Sequence, residues 1–91
     1  MMPPEVADYF KQGVKKPISA RTERPYTLFV LYDDGVEKSQ DMTNQLFGVF
    51  EVLKDYALFS KPIVDDGRCI KWIVGDEVLD IDKDAFYIYG K

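Results

Sequence analysis

The seven residues Tyr26-Thr-Leu-Phe-Val-Leu-Tyr32 constrain this chain more than any other stretch. They are apolar on both alternating faces, with Leu28, Val30 and Tyr32 on one and Phe29 and Leu31 on the other. A strand with one solvated face alternates apolar with polar residues, so a strand apolar on both faces belongs in the middle of a sheet and needs a cover on each side. Asp33-Asp34-Gly35 follows, and Asp-Gly supplies the positive φ of a tight hairpin. The chain is therefore predicted to return antiparallel from Val36 to Met42, and the polar run Glu37-Lys38-Ser39-Gln40 reads as an exposed edge guarded by charge.

Weaker signals place the other elements around this strand. Val6, Tyr9, Phe10 and Gly13 fall at helical spacing after two prolines, which predicts a short helix between Glu5 and Val14. Pro17 to Thr22 reads as a first, edge strand that Pro25 brings to an end. Asp41 or Thr43 is a candidate cap for a helix carrying Leu46, Val49, Phe50 and Leu53 on one face. Asp55 then starts a second helical turn that carries Leu58 and Phe59 inward. Gly48 and Asp55 favour two short helices over one long one. Pro62 to Asp65, a turn at Asp66-Gly67 and Arg68 to Val74 read as a second hairpin in which Ile70 and Trp72 share a face. Gly75-Asp76 turns the chain into Glu77 to Ile81, and Asp82 is placed to cap a last helix through Ala85, Phe86 and Tyr87.

Ninety-one residues suffice for one core. Apolar residues at 46% and charged residues at 31% mark a globular chain rather than a disordered one, and thirteen aromatics supply large buried area. The expectation is an α+β fold: a small antiparallel sheet built from hairpins, with short helices on one face and an added N-terminal helix. Residues 1–16 would form a helical extension and residues 17–91 a single α+β domain.

From about Lys16 to Gly90 the order of motifs resembles the domain-of-unknown-function family 2442. The resemblance rests on Tyr26-x-Leu28-x-Val30-x-Tyr32 leading into Asp-Gly, on Gly48-Val-Phe-Glu-Val-Leu-Lys-Asp-Tyr-Ala-Leu-Phe59, and on Ile70-x-Trp72 followed by Asp80-Ile-Asp82 and Phe86-Tyr87. Where the family carries proline after the tryptophan and after the second aspartate, this chain has Ile73 and Lys83. The resemblance implies a small bacterial or phage-type domain of unknown activity. Its relatives are often encoded beside another small protein, in an arrangement reminiscent of toxin–antitoxin pairs.

Charge and residue chemistry narrow the function. Residues 1–32 carry five Lys/Arg against three Asp/Glu and residues 33–91 seven against thirteen, for a net −4. An acidic body repels a phosphate backbone, so nucleic acid is disfavoured as a partner, and Lys15, Lys16, Arg21 and Arg24 read as a solvated face. Trp72 with Tyr26, Tyr32 and Phe29 lacks the basic groove that a base-stacking platform needs. The chain has no histidine to raise the thiolate fraction of its only cysteine, Cys69, which is expected to be a buried strand residue. Asp33 with Asp65 or Asp80 is a formal acid–base pair, but Asp33 and Asp65 sit where turns favour aspartate for local reasons. Asp80-x-Asp82-x-Asp84 starts like a calcium loop but has Ala85 and Lys91 where that loop needs glycine and glutamate. Asp82 is therefore read as a helix cap, with Asp80 and Asp84 exposed. Gly35, Gly67 and Gly75 read as turns and Gly48 is isolated, so no phosphate-cradling loop is predicted. No cofactor, metal or small-molecule substrate is expected. One cysteine and an N-terminus without a signal pattern point to the cytoplasm, with no membrane partner.

The remaining expectation concerns the second face of the Tyr26–Tyr32 strand. Either the N-terminal helix closes it or another chain does. The sequence thus points to a non-enzymatic protein-interaction module that self-associates, for example as a homodimer, or binds a small partner protein by a sheet edge or face. The candidate surface is Tyr26, Leu28, Phe29, Tyr32 and Trp72. The alternative is an antitoxin-like regulator whose acidic surface neutralises a basic partner.

Overall fold

Strand β2 (Thr27–Tyr32) is the centre of a three-stranded antiparallel sheet, flanked by β1 (Pro17–Glu23) and β3 (Glu37–Asp41). A computed structural model describes residues 3–65 and 68–91 of the chain. The β2–β3 hairpin closes through Tyr32 N–H on the Val36 carbonyl at 2.9 Å. Gly35 takes φ +84° in its loop, and the Asp34 carboxylate accepts the Val36 N–H at 3.0 Å. A glycine in the left-handed region at the end of a three-residue loop suits the right-handed twist of the strands it joins. Leu28, Val30 and Tyr32 are fully buried while Thr27, Phe29 and Leu31 stay half-exposed, as the alternation predicts.

The C-terminal half forms a second three-stranded antiparallel sheet from β4 (Ile63–Asp65), β5 (Cys69–Val74) and β6 (Glu77–Asp82), in that order. The hairpins thus build two small sheets, which meet where β1 lies against β4 without pairing to it. The β5–β6 turn is the expected Gly75-Asp76, with Val74 opposite Glu77. The predicted Asp66-Gly67 turn lies outside the described residues. Helix α1 (Pro4–Gln12) precedes the first sheet, α2 (Tyr56–Phe59) lies between the sheets, and α3 (Lys83–Tyr89) follows β6. The fold is α+β.

The segment after β3 is helical as expected, and its type is 3₁₀. Thr43–Gln45 and Gly48–Lys54 are 3₁₀ turns, and Gly48 has φ +61° where they break. A 3₁₀ helix repeats every three residues instead of every 3.6, so Phe50 and Leu53 share its inner line and Val49 does not. Val49 is 65% exposed, which corrects its assignment to the core face. The caps follow the sequence: Asp55 accepts the Ala57 N–H at 3.0 Å to start α2, and Asp82 accepts the Asp84 N–H at 2.8 Å to start α3.

One core serves both sheets. Leu28, Val30 and Tyr32 from the first meet Ile70, Trp72 and Leu79 from the second, and Met42, Leu46, Leu53, Phe59 and Phe86 fill the space between. Phe59 stacks on Trp72 with ring centroids 5.7 Å apart, and Tyr26 meets Phe59 edge-on at 5.5 Å.

Candidate interaction surface

Three of the five residues expected on an interaction surface are core. Leu28, Tyr32 and Trp72 lie on the inner faces of the two sheets, where each covers the other sheet, and leave almost no area for a partner. Their polar atoms are satisfied internally. The Trp72 indole N–H donates to the Phe59 carbonyl at 2.9 Å and the Tyr32 hydroxyl donates to the Lys83 carbonyl at 2.8 Å. Burial first, then the nearby charge of Tyr9, Asp84 and Asp82, pushes the Tyr32 hydroxyl well above the ordinary phenol range. Tyr26 is half-buried, its hydroxyl donating to the Lys54 carbonyl.

Phe29 is the expected surface residue that does face outward, and a cation covers it. The Arg21 guanidinium stands 3.8 Å from the Phe29 ring centroid and reaches Glu23 at 2.9 Å and Glu37 at 3.2 Å, which ties β1, β2 and β3 together across the outer face. The N-terminal helix does not close this face. It packs on α3 instead, with Tyr9 buried, its ring 5.2 Å from that of Tyr87 and its hydroxyl donating to Asp84. Asp84 also accepts from the Lys83 ammonium at 2.7 Å, so it is a half-buried anchor and not the exposed carboxylate expected. The Tyr9 hydroxyl further accepts the Lys15 N–H at 2.9 Å, fixing the exit of α1.

The apolar surface that remains open lies on the second sheet. Its outer face carries Ile63 and Asp65 from β4, Cys69, Lys71 and Ile73 from β5, and Val78, Asp80 and Asp82 from β6. Ile73 and Val78 are directly opposed and 54% and 57% exposed, with Ile63 at 40% on the neighbouring strand. Directly opposed β-branched side chains stabilise the ladder by packing on each other. A second exposed apolar group, Phe47 at 71% with Val49, sits on the 3₁₀ segment. The signal for the first patch was in the sequence: Ile73 alternates with Trp72, so placing Trp72 in the core turns Ile73 outward.

The same face carries its charges at the other end. Lys71 stands between Asp65, 3.1 Å from its ammonium, and the directly opposed Asp80. Cys69 is half-exposed rather than buried, and burial together with Asp65 and Asp80 raises its thiol above the ordinary range, which suppresses the nucleophilic thiolate. Asp33 is on the first sheet's hairpin, accepting the Lys16 N–H at 3.2 Å, so the structure does not bring it to Asp65 or Asp80. Among the described residues no group of three or more Cys, Asp or Glu side chains is arranged to hold a metal ion, and no helix is long and apolar enough to cross a membrane.

No protein-family model, curated protein or solved structure matches the chain.

Proposed function

We propose that this protein is a non-enzymatic interaction module that self-associates or binds a small partner protein through the outer face of its second sheet. The observation that carries the reading is the opposed, half-exposed pair Ile73 and Val78, with Ile63 beside it. An exposed apolar cluster bordered by charged residues is the usual form of an association surface in a small domain. The raised Cys69 thiol and the capping and turn roles of the carboxylates support a binding role over a catalytic one.

Size-exclusion chromatography with light scattering tests it. The native chain is expected to run above its monomer mass of 10.5 kDa or to bring down a partner, and Ile73→Glu is expected to abolish either association while leaving the circular dichroism spectrum unchanged. A strict monomer that recovers no partner would overturn the reading.

A second reading is an antitoxin-like regulator that neutralises a basic partner. Asp65, Asp80 and Asp82 on one face with Lys71 as their cation favour it, as does the family resemblance. Co-expression with the product of the adjacent gene should then rescue growth and give a co-purifying complex, and failure of both would remove it.

A further inference from the structure

The two sheets have four edges, and the chain protects three of them. β1 and β4 lie against each other where the sheets meet. The free side of β3 receives the C-terminus, where the Lys91 N–H donates to the Ser39 carbonyl at 2.8 Å. Among the described residues β6 pairs with β5 alone, so alternate main-chain groups along it point away from the sheet.

A cleft of about 300 Å³ opens beside that edge. Asp80, Ile81 and Asp82 all line it. Consecutive strand residues project to opposite faces, so a cleft bordered by three in a row takes in both faces of the strand, as one beside its edge does. The buried Met42 and Phe86 line it as well, as does Gln40 of β3. The volume is at the small end of the roughly 300–1,000 Å³ typical of small-molecule pockets, and a cleft beside an unpaired strand suits a peptide.

Charge selects among peptides. β6 reads Glu-Val-Leu-Asp-Ile-Asp, with three carboxylates and no cation, and the charged residues lining the cleft among those described are Asp80 and Asp82. Pairing β6 with β6 of a second copy would set these carboxylates against each other, which destabilises a ladder. We propose that the β6 edge accepts an extended, lysine- or arginine-rich segment of a partner protein as an added strand, with an apolar side chain seated over Met42 and Phe86. This inference rests on the interaction-module reading, but not on the Ile73–Val78 face that carries it.

The test is a nitrogen-15 NMR titration of the intact protein with the synthetic peptide Lys-Val-Lys-Ile-Lys, capped at both ends. Shifts are expected along Asp80 to Asp82 and at Met42 and Phe86. Methylating the peptide's alternate amide nitrogens should weaken binding about tenfold by removing a main-chain hydrogen bond. Asp80→Asn should weaken it roughly threefold, and added salt should do the same. Asp82 is left intact because it caps α3. The charge-reversed peptide Glu-Val-Glu-Ile-Glu should not bind. Equal binding of both peptides, or absence of binding, overturns the edge site while the association measured by light scattering still stands. Shifts confined to Ile73 and Val78 would move the site to the sheet face and likewise overturn it.

Discussion

The Trp72 indole N–H donates to the Phe59 carbonyl at 2.9 Å, and the two rings stack over the same contact. Phe59 is the last residue of α2; the Tyr56 and Leu58 carbonyls accept from the Ser60 and Lys61 N–H groups, and the Phe59 carbonyl takes its bond from Trp72. Trp72 therefore pins the helical segment to the second sheet by packing and by capping at once.

Trp72→Phe keeps an aromatic ring but leaves the Phe59 carbonyl buried without its donor. The expected loss is about 1–3 kcal/mol, against about 3–5 kcal/mol for Trp72→Ala, which also opens a cavity. Urea denaturation followed by circular dichroism checks both. A Trp72→Phe variant as stable as the native protein would show that the bond contributes nothing net.

Tyr9 joins two elements far apart in the chain, since its hydroxyl donates to Asp84, 75 residues away, and accepts the Lys15 N–H. Burial and then the Asp84 hydrogen bond hold this hydroxyl protonated well above the ordinary phenol range. Tyr9→Phe removes these bonds but keeps the ring against Tyr87. Amide exchange within residues 6–12 is then expected to quicken about tenfold, with β2 amides unchanged, because α1 opens as a local unit. Equal quickening in β2 would mean that α1 unfolds only with the whole domain.

These two contacts mark where sequence reading succeeds and where it stops. The Tyr32–Val36 hairpin, the Asp55 and Asp82 caps and the inward faces of Tyr26–Tyr32 and Ile70–Trp72 were legible because each is set within a few residues. The pairing of Tyr9 with Asp84 is a long-range choice with no local signature. For the 3₁₀ segment the sequence predicts a helix without fixing its type, because a period of three and one of 3.6 both align Phe50 with Leu53. Alternation placed Phe29 and Trp72 on definite faces, but only the tertiary arrangement shows that Trp72 covers a second sheet and that Arg21 covers Phe29. That arrangement leaves Ile73 and Val78 as the open apolar pair.

The Tyr87 hydroxyl donates to Asp34 at 2.5 Å and both groups titrate accordingly. That bond, then the Val36 N–H, lowers the Asp34 carboxyl, so its contribution is present above the unfolded value of about 4 and fades as pH falls through the folded one. Tyr87 is pushed up to about 12, first by the same bond and then by burial. Its contribution is complete below the ordinary value of 10.0 and is lost as pH rises toward about 12. Asp34→Asn should flatten the acid limb of the stability curve and bring Tyr87 titration back toward 10.0, read by ultraviolet difference absorbance. A variant with an unchanged tyrosine titration curve would show that the pair does not form in solution.

Arg21 is mostly exposed, so its value lies in covering Phe29 rather than in its ion pairs. Arg21→Ala is expected to lower the midpoint of thermal or urea unfolding slightly. It should also raise binding of a hydrophobic dye, because Phe29 and Leu31 then form an open stripe on the first sheet. Arg21→Lys should recover little, since an ammonium lacks the planar fork that spans Glu23, Glu37 and the ring. Full recovery by lysine would assign the effect to charge alone.

Gly90 closes the β3 edge by close approach. It has ordinary negative φ, but a Cβ there would stand 2.6 Å from the Phe86 carbonyl oxygen, 3.2 Å from the Lys38 Cβ and 3.4 Å from the Ser39 carbonyl oxygen. The nearest obstacle is backbone and cannot swing aside, so Gly90→Ala must push the C-terminus off β3 and break the Lys91–Ser39 bond. The fold itself should lose about 1–3 kcal/mol, the usual cost of forcing a methyl group into occupied space. The larger consequence falls on solubility. Uncovering β3 gives the domain a second open edge besides β6, and unpaired edges template aggregation. Gly90→Ala is therefore expected to show faster amide exchange at Lys38 to Gln40 and concentration-dependent aggregation at temperatures where the native chain stays clear. A variant with native exchange at these positions would show that the C-terminus does not guard this edge.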